Sequence, residues 1–313
     1  MNPAGKTQQP TTELAPAAGQ ALVHEAARSL LDPQGRALAA QVQWWSLPGL
    51  ETGDGCGAQA WPVAVLGEGP PLLLMHGFDS SFLEFRRLAP LLSGSAQLFI
   101  PDLFGFGFCP RPTAGDYSPS GVLRHLEALV QEIGVRNPAP LGLIGASMGG
   151  SVAVELARRL PQRVERLLLL APAGLTGRPM PLPPLLDGLG VRFLALPGVR
   201  RGLCRTAFAD PDTAVGAAEL EIASLHLQSP GWAEALRRFA RSGGFAGGGA
   251  PLPEQPIAVL WGADDRILRA PQKRAALALL GERVRELEAC GPLPHLDQAA
   301  TVADTWLTPP CPP

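Results

Sequence analysis

The residues with the clearest chemistry lie in one stretch, Leu141-Gly142-Leu143-Ile144-Gly145-Ala146-Ser147-Met148-Gly149-Gly150-Ser151. An apolar run stops at Gly145. Ser147 follows two residues later, Gly149 two after that, and a helix-like pattern runs on from Val152 to Leu160. A serine at the apex of a sharp strand-to-helix turn, with glycine at both second neighbours, is the arrangement that exposes a nucleophilic hydroxyl at a sheet edge. The simpler alternative is a tight turn whose serine caps the helix. A serine hydroxyl attacks a carbonyl only with a base in hydrogen-bond reach, an acid to orient that base, and N–H donors for the oxyanion. After such a serine, the order to look for is acid, then histidine. Ile257 to Trp261 is an apolar run that ends in Gly262 and two aspartates, Asp264 and Asp265. The one histidine beyond them is His295, in Cys290-Gly291-Pro292-Leu293-Pro294-His295-Leu296-Asp297-Gln298.

The elements that must position these groups alternate. Apolar runs at 60–66, 71–75, 97–101, 141–146, 164–170, 257–261 and 283–288 read as strands, and several of them are apolar throughout, as in a sheet covered on both faces. Helix patterns lie between them at 82–92, from Ser118-Pro119 to about 133, at 152–160 and at 271–280, with a last one at about 296–307. Before the sheet come a helix at 21–31, a turn at Asp32-Pro33-Gln34-Gly35, a strand at 40–46 and a glycine-rich loop at 49–57. The alternation predicts an α/β fold with a mostly parallel, doubly wound sheet. It breaks between 175 and 250, where 185–209 reads as irregular and apolar and 213–228 and 232–242 as helices. This break reads as a helical lid insertion over the carboxyl edge, where open α/β sheets carry their ligand crevice. The expected organisation is a disordered tail at 1–20, a core at 21–174, the insertion at 175–250, and the rest of the core at 251–313.

The bulk properties narrow the classes. The chain has 313 residues and 46% hydrophobic residues, enough for one large core. Its net charge of −2, with no charged block, gives no electrostatic case for nucleic acid or an anionic membrane surface. No run reaches the length of a membrane helix, and the first twenty residues lack the pattern of a secretory signal. Five scattered cysteines, with no C-x-x-C, argue against a disulfide framework and fit a cytoplasmic location. Oligomeric state is not legible.

The chain resembles the α/β-hydrolase superfamily over about residues 40–307. The resemblance rests on four signatures in order: His76-Gly77-Phe78 after one strand, Pro101-Asp102-Leu103-Phe104-Gly105-Phe106-Gly107 after the next, the Ser147 elbow with its second glycine, and Trp261-Gly262-Ala263-Asp264-Asp265. It implies that Ser147 is the nucleophile and that Asp265, rather than Asp264, is the acid. It further implies an oxyanion hole made by the backbone N–H groups of Phe78 and Met148, with His76 bracing the loop. The implied chemistry is acyl transfer to water on an ester, thioester, amide or carbonyl-activated C–C bond of a small, apolar substrate. No metal or redox cofactor is implied.

The departure from the family is at the base. The family's histidine directly follows the glycine, and here that position is Pro292, which accepts no proton. Three readings stay open: His295 serves from a re-registered loop; the base is lost and the protein is an impaired hydrolase or a binder on the same fold; or another histidine, His226 in the insertion, serves. His24 and His125 read as surface or packing residues. Phe104, Phe106 and Phe108 read equally as pocket lining and as loop packing, and Cys109 and Cys290 read as packing residues.

Overall fold

The computed structural model describes residues 18–47, 50, 59–183, 186–268 and 270–308. Its eight strands are β1 (Val42–Ser46), β2 (Ala60–Leu66), β3 (Pro71–Met75), β4 (Gln97–Pro101), β5 (Leu141–Ala146), β6 (Val164–Leu170), β7 (Ile257–Gly262) and β8 (Val284–Leu287). They form one sheet in the order β1-β2-β4-β3-β5-β6-β7-β8. β2 runs antiparallel to β1 and β4, and every pairing from β4 to β8 is parallel. All residues of β3 and β5 are buried. Leu73 and Met75 point into the core on one face, Leu72 and Leu74 into the core on the other. This two-sided cover is why these strands are apolar without alternation.

Thirteen helices surround the sheet among the described residues. The first five are α1 (Ala18–Ser29), α2 (Pro33–Ala39), α3 (Ala89–Leu92), α4 (Pro119–Arg136) and α5 (Met148–Arg159). Between β6 and β7 come α6 (Leu186–Leu194), α7 (Pro197–Thr206), α8 (Pro211–Ala214), α9 (Ala217–Leu225) and α10 (Trp232–Ser242). The last three are α11 (Ala270–Leu280), α12 (Pro294–Asp297) and α13 (Ala299–Leu307). β6 and β7 are direct parallel neighbours, so α6 to α10 form an excursion from the sheet.

Several sequence expectations change. Asp32 to Gly35 is not a turn but the start of α2. Asp32 accepts the Gly35 N–H at 2.7 Å and Pro33 stands in the first helical turn, so the same residues that favour turns here cap a helix. The helix expected at 82–92 is a 3₁₀ turn, Phe82–Phe85, followed by α3. Pro90 has no N–H for the carbonyl four residues earlier, so one continuous helix cannot pass. The irregular stretch at 185–209 contains α6 and α7. Part of the expected tail is ordered, since α1 begins at Ala18. Residues 1–17 and nearly all of the glycine-rich loop at 49–57 lie outside the described residues.

Candidate active site

β5 delivers Ser147 at φ 50° and ψ −117°, a conformation that L-residues rarely adopt. Contacts on both sides enforce it. A Cβ on Gly145 would lie 2.3 Å from the Gly149 carbonyl oxygen, and one on Gly149 would lie 2.1 Å from that of Met75. The Ser147 N–H donates to the Leu170 carbonyl of the neighbouring strand at 2.8 Å. The Ser147 hydroxyl makes no capping hydrogen bond to α5, so the simpler reading of this serine as a helix cap does not hold.

β3 delivers the loop that crosses the serine. His76 is fully buried, and burial lowers its pKa. Its Nε2 accepts the Leu103 N–H at 3.0 Å, which leaves Nδ1 to donate to the Gly77 carbonyl at 2.7 Å. His76 is therefore a brace, as expected. At Gly77 a Cβ would lie 3.3 Å from Ser147 Cβ and 3.5 Å from Glu84 Oε2, so the loop passes directly over Ser147. The backbone N–H groups of Phe78 and Met148 have no internal partner among the described residues. Met148 opens α5, where the free N–H groups and the helix dipole favour negative charge.

β7 delivers Asp265. Its Oδ2 accepts Trp261 Nε1 at 2.9 Å, and its Oδ1 accepts the N–H groups of Ile267 at 2.8 Å and Leu268 at 3.3 Å. No histidine approaches it in the hydrogen-bond network of the described residues. Asp264 is exposed, with its N–H on the Cys290 carbonyl at 2.9 Å. The loop after β8 abuts the β7 loop so closely that a Cβ on Gly262 would lie 2.0 Å from the Gly291 carbonyl oxygen. Asp297 pins this loop by accepting the Gly291 N–H at 2.7 Å. Pro292 is buried next to it. The Cys290 thiol is pushed up to about 12 by burial, with Asp297 and Asp264 adding to it, and so stays protonated.

His295 sits on α12, completely buried, with its Nε2 3.0 Å from Glu84 Oε1 and its ring 5.1 Å from that of Phe85. Neither ring nitrogen has a well-aligned hydrogen-bond partner. The structure thus brings His295 to Glu84, and no hydrogen bond joins it to Ser147 or Asp265. Sequence reasoning missed Glu84. Burial pushes its carboxyl up, but the contact with His295 outweighs this and holds it below its ordinary value. The Gly77 N–H also donates to both of its oxygens.

A second missed group is Asp79, next to Phe78 and held at φ 51°. Three residues of the inserted helices converge on it. Arg200 Nη1 lies 2.6 Å from Oδ2, Trp232 Nε1 donates to Oδ1 at 2.8 Å, and His226 Nε2 lies 3.1 Å from Oδ1. Burial raises the Asp79 carboxyl, but the hydrogen bond and charge of His226, then Arg200 and Trp232, bring it below its ordinary value. The available signal was its place directly after His76-Gly77-Phe78, where side chains face the site.

Ser147, Glu84 and Asp79 border a cavity of about 320 Å³ lined mostly by apolar surface, whereas Asp265 and His295 are not part of its lining. Ser147, Phe78 and Glu84 form part of its floor, while Leu194, Phe208 and His226 come from the insertion. His226 is the one histidine that lines it, and its buried Nδ1 has no hydrogen-bond partner. The alternating phenylalanines do not line it. Phe104 stacks on Tyr117 at 5.0 Å, Phe106 packs on Phe239 at 5.1 Å and Phe108 on Phe82 at 5.8 Å. His125 is buried beside Trp61, and burial takes it down to about 3, so it is neutral packing.

Comparison with known proteins agrees with this architecture. Residues 72–305 match the model of the alpha/beta hydrolase family. The alpha/beta hydrolase domain-containing protein VTE7 of Arabidopsis thaliana is 29% identical over 280 residues, covering 86% of this chain and 84% of that protein. Lipase 3 of a Moraxella species is 39% identical over 106 residues, covering 34% of this chain and 33% of that protein. A crystal structure of a putative lipase from Acinetobacter baumannii superposes with a TM-score of 0.68 at 22% identity, covering 95% of this chain and 96% of that one. With the elbow, the bracing histidine and the strand order in place, and most of its length matched, the chain belongs to the alpha/beta hydrolase family.

Proposed function

We propose that this protein is a cofactor-independent serine hydrolase acting on a small, apolar carboxylic ester or related acyl substrate. The observation that carries this reading is the Ser147 hydroxyl, held in a strained turn, free of any capping role, on the floor of an apolar cavity. In this reading Ser147 attacks the carbonyl, and the N–H groups of Phe78 and Met148 stabilise the oxyanion. Asp265 is the acid and His295 the base. To serve, His295 must exchange Glu84 for Ser147. Residues 175–250 act as a lid that excludes water between the two core segments, 21–174 and 251–313.

A second reading is a catalytically impaired binding or sensor protein. It is favoured by Pro292 at the family's histidine position and by the engagement of His295 with Glu84. The two readings differ by a large factor. Loss of the base of a serine triad costs on the order of a million-fold in turnover, about 8 kcal/mol of barrier. The oxyanion hole and substrate binding alone leave about a thousand- to ten-thousand-fold over water.

Hydrolysis of p-nitrophenyl esters by the wild type, Ser147→Ala, His295→Ala, His226→Ala and Pro292→His separates them. The hydrolase reading expects turnover that Ser147→Ala abolishes and that one histidine variant lowers by several decades. Activity that survives Ser147→Ala removes this reading. A rise of several decades in Pro292→His, with no loss in either histidine variant, shows that the base is absent and the second reading holds.

A further inference from the structure

A helix on a protein surface ordinarily turns its leucines inward and its acids outward. α6 turns Val191 and Leu194 inward, but it also buries its acid and leaves a second apolar face outside. Asp187 is completely buried and paired with Arg237 and Arg241 of α10. Leu186, Leu189 and Phe193 are 55%, 61% and 59% exposed. Their spacing of three and four places them along one outer face. Leu196, just before α7, and Leu203 within it are exposed as well, as are Met180 and Leu182 before α6. More than half of the exposed large apolar side chains among the described residues fall between Met180 and Leu203. Exposed apolar side chains concentrated in this way mark an interaction site.

The charges have a pattern too. From Thr176 to Ala209 the sequence contains a single acid, the buried Asp187. Arg178, Arg192 and Arg201 are exposed, and none has an ion-pair partner among the described residues. Arg200 is turned inward to Asp79, and Arg205 pairs with Asp212 beyond the stretch. This stretch therefore offers leucine, phenylalanine and arginine and no exposed carboxylate of its own, and the exposed acids beside it, Asp212 and Glu234, are paired with Arg205 and Arg237. It also meets the cavity. Leu203, and Ile267 from the loop after β7, are both exposed and both line it.

We propose that this face docks on an anionic lipid bilayer, with the leucines of α6 and α7 in the headgroup–acyl boundary and the arginines among lipid phosphates. That combination is the one interfacial helices use. A second copy of the chain fits less well. A two-fold contact sets each patch against itself and brings unpaired arginines together. No helix among the described residues is long and apolar enough to span a membrane, and the proposed contact is by this face alone. Docked this way, the cavity mouth faces the layer that holds apolar molecules. The surface does not depend on whether Ser147 turns over.

The test is flotation of the full chain with vesicles of phosphatidylcholine alone or mixed with phosphatidylglycerol. The wild type and Ser147→Ala are expected to float with the mixed vesicles, less with phosphatidylcholine alone, and less as salt rises. Leu189→Ser with Phe193→Ser should abolish binding. Arg192→Gln with Arg201→Gln should weaken it about thirtyfold, at roughly fivefold for each basic residue near an anionic surface. Leu31→Ser with Leu91→Ser, which removes exposed leucines elsewhere, should leave it unchanged. The arginine pair makes no ion pair in the fold, so its result stands even if the apolar pair fails to fold. The proposal is overturned if the wild type stays in the aqueous fraction at low salt, or if it binds both vesicle types equally. It is also overturned if the control pair loses binding equally, or if sedimentation shows a dimer that the apolar pair dissolves while vesicles capture nothing.

Discussion

Burial by itself would make the Glu84 carboxyl a weak acid, yet the contact with His295 holds it below its ordinary value. The folded carboxyl thus lies below its unfolded value, so its contribution to stability is complete above the ordinary carboxylate range. It is lost as pH falls through the lowered folded value. Leaving a buried polar group without its partner costs about 1–3 kcal/mol. Glu84→Gln is expected to lower urea-unfolding stability at neutral pH by about that amount and to flatten the decline on acidification, measured by the midpoint across a pH series. The places of Ser147 and Asp265 at strand ends were legible because each follows an apolar strand with glycine beside it. The place of Glu84 was not. A glutamate in a helix-like stretch reads as a solvated face, and only the fold shows that this turn lies under the loop at Gly77 with His295 against it.

The elbow works as an element because two backbones touch where glycine permits. Gly149→Ala would put a methyl carbon 2.1 Å from the Met75 carbonyl oxygen, a backbone atom that cannot swing away. Forced overpacking of this kind costs about 3 kcal/mol or more. The variant should show that loss in denaturant melts. Under the hydrolase reading proposed above, any hydrolysis of p-nitrophenyl esters should fall further than stability alone explains, since β3 carries the loop of Gly77 and Phe78. Strands were read closely because unbroken apolar runs bounded by glycine and proline leave few other options. α6 escaped because one of its apolar faces points outward and its acid inward, so the usual periodicity signal is blurred. The helix expected at 82–92 failed at Pro90, where local propensity gave way to a missing N–H.

Across the whole molecule, ionic contacts fasten the insertion to the core. Arg86 is buried and pairs with Asp32 at 3.1 Å and with Glu219 of α9, which also pairs with Arg87. One cluster thus joins the N-terminal helices, the loop after β3 and the inserted helices. Glu219→Gln leaves two guanidinium groups short of a partner. It should raise amide exchange in α2 and in α7 to α9, while the sheet keeps its protection, as read by hydrogen-exchange mass spectrometry. The chain's net charge of −2 shows why the surface proposed to meet lipid was invisible in the sequence. An average over the chain hides a long stretch whose single acid is folded inward.

Asp265 is held by Trp261 and two backbone N–H groups, not by any histidine. Its position therefore survives whatever occupies residue 292. Under the proposed triad, a change at residue 292 is therefore a change to the base alone, because the Asp265 carboxylate is already fixed by its own stretch of chain.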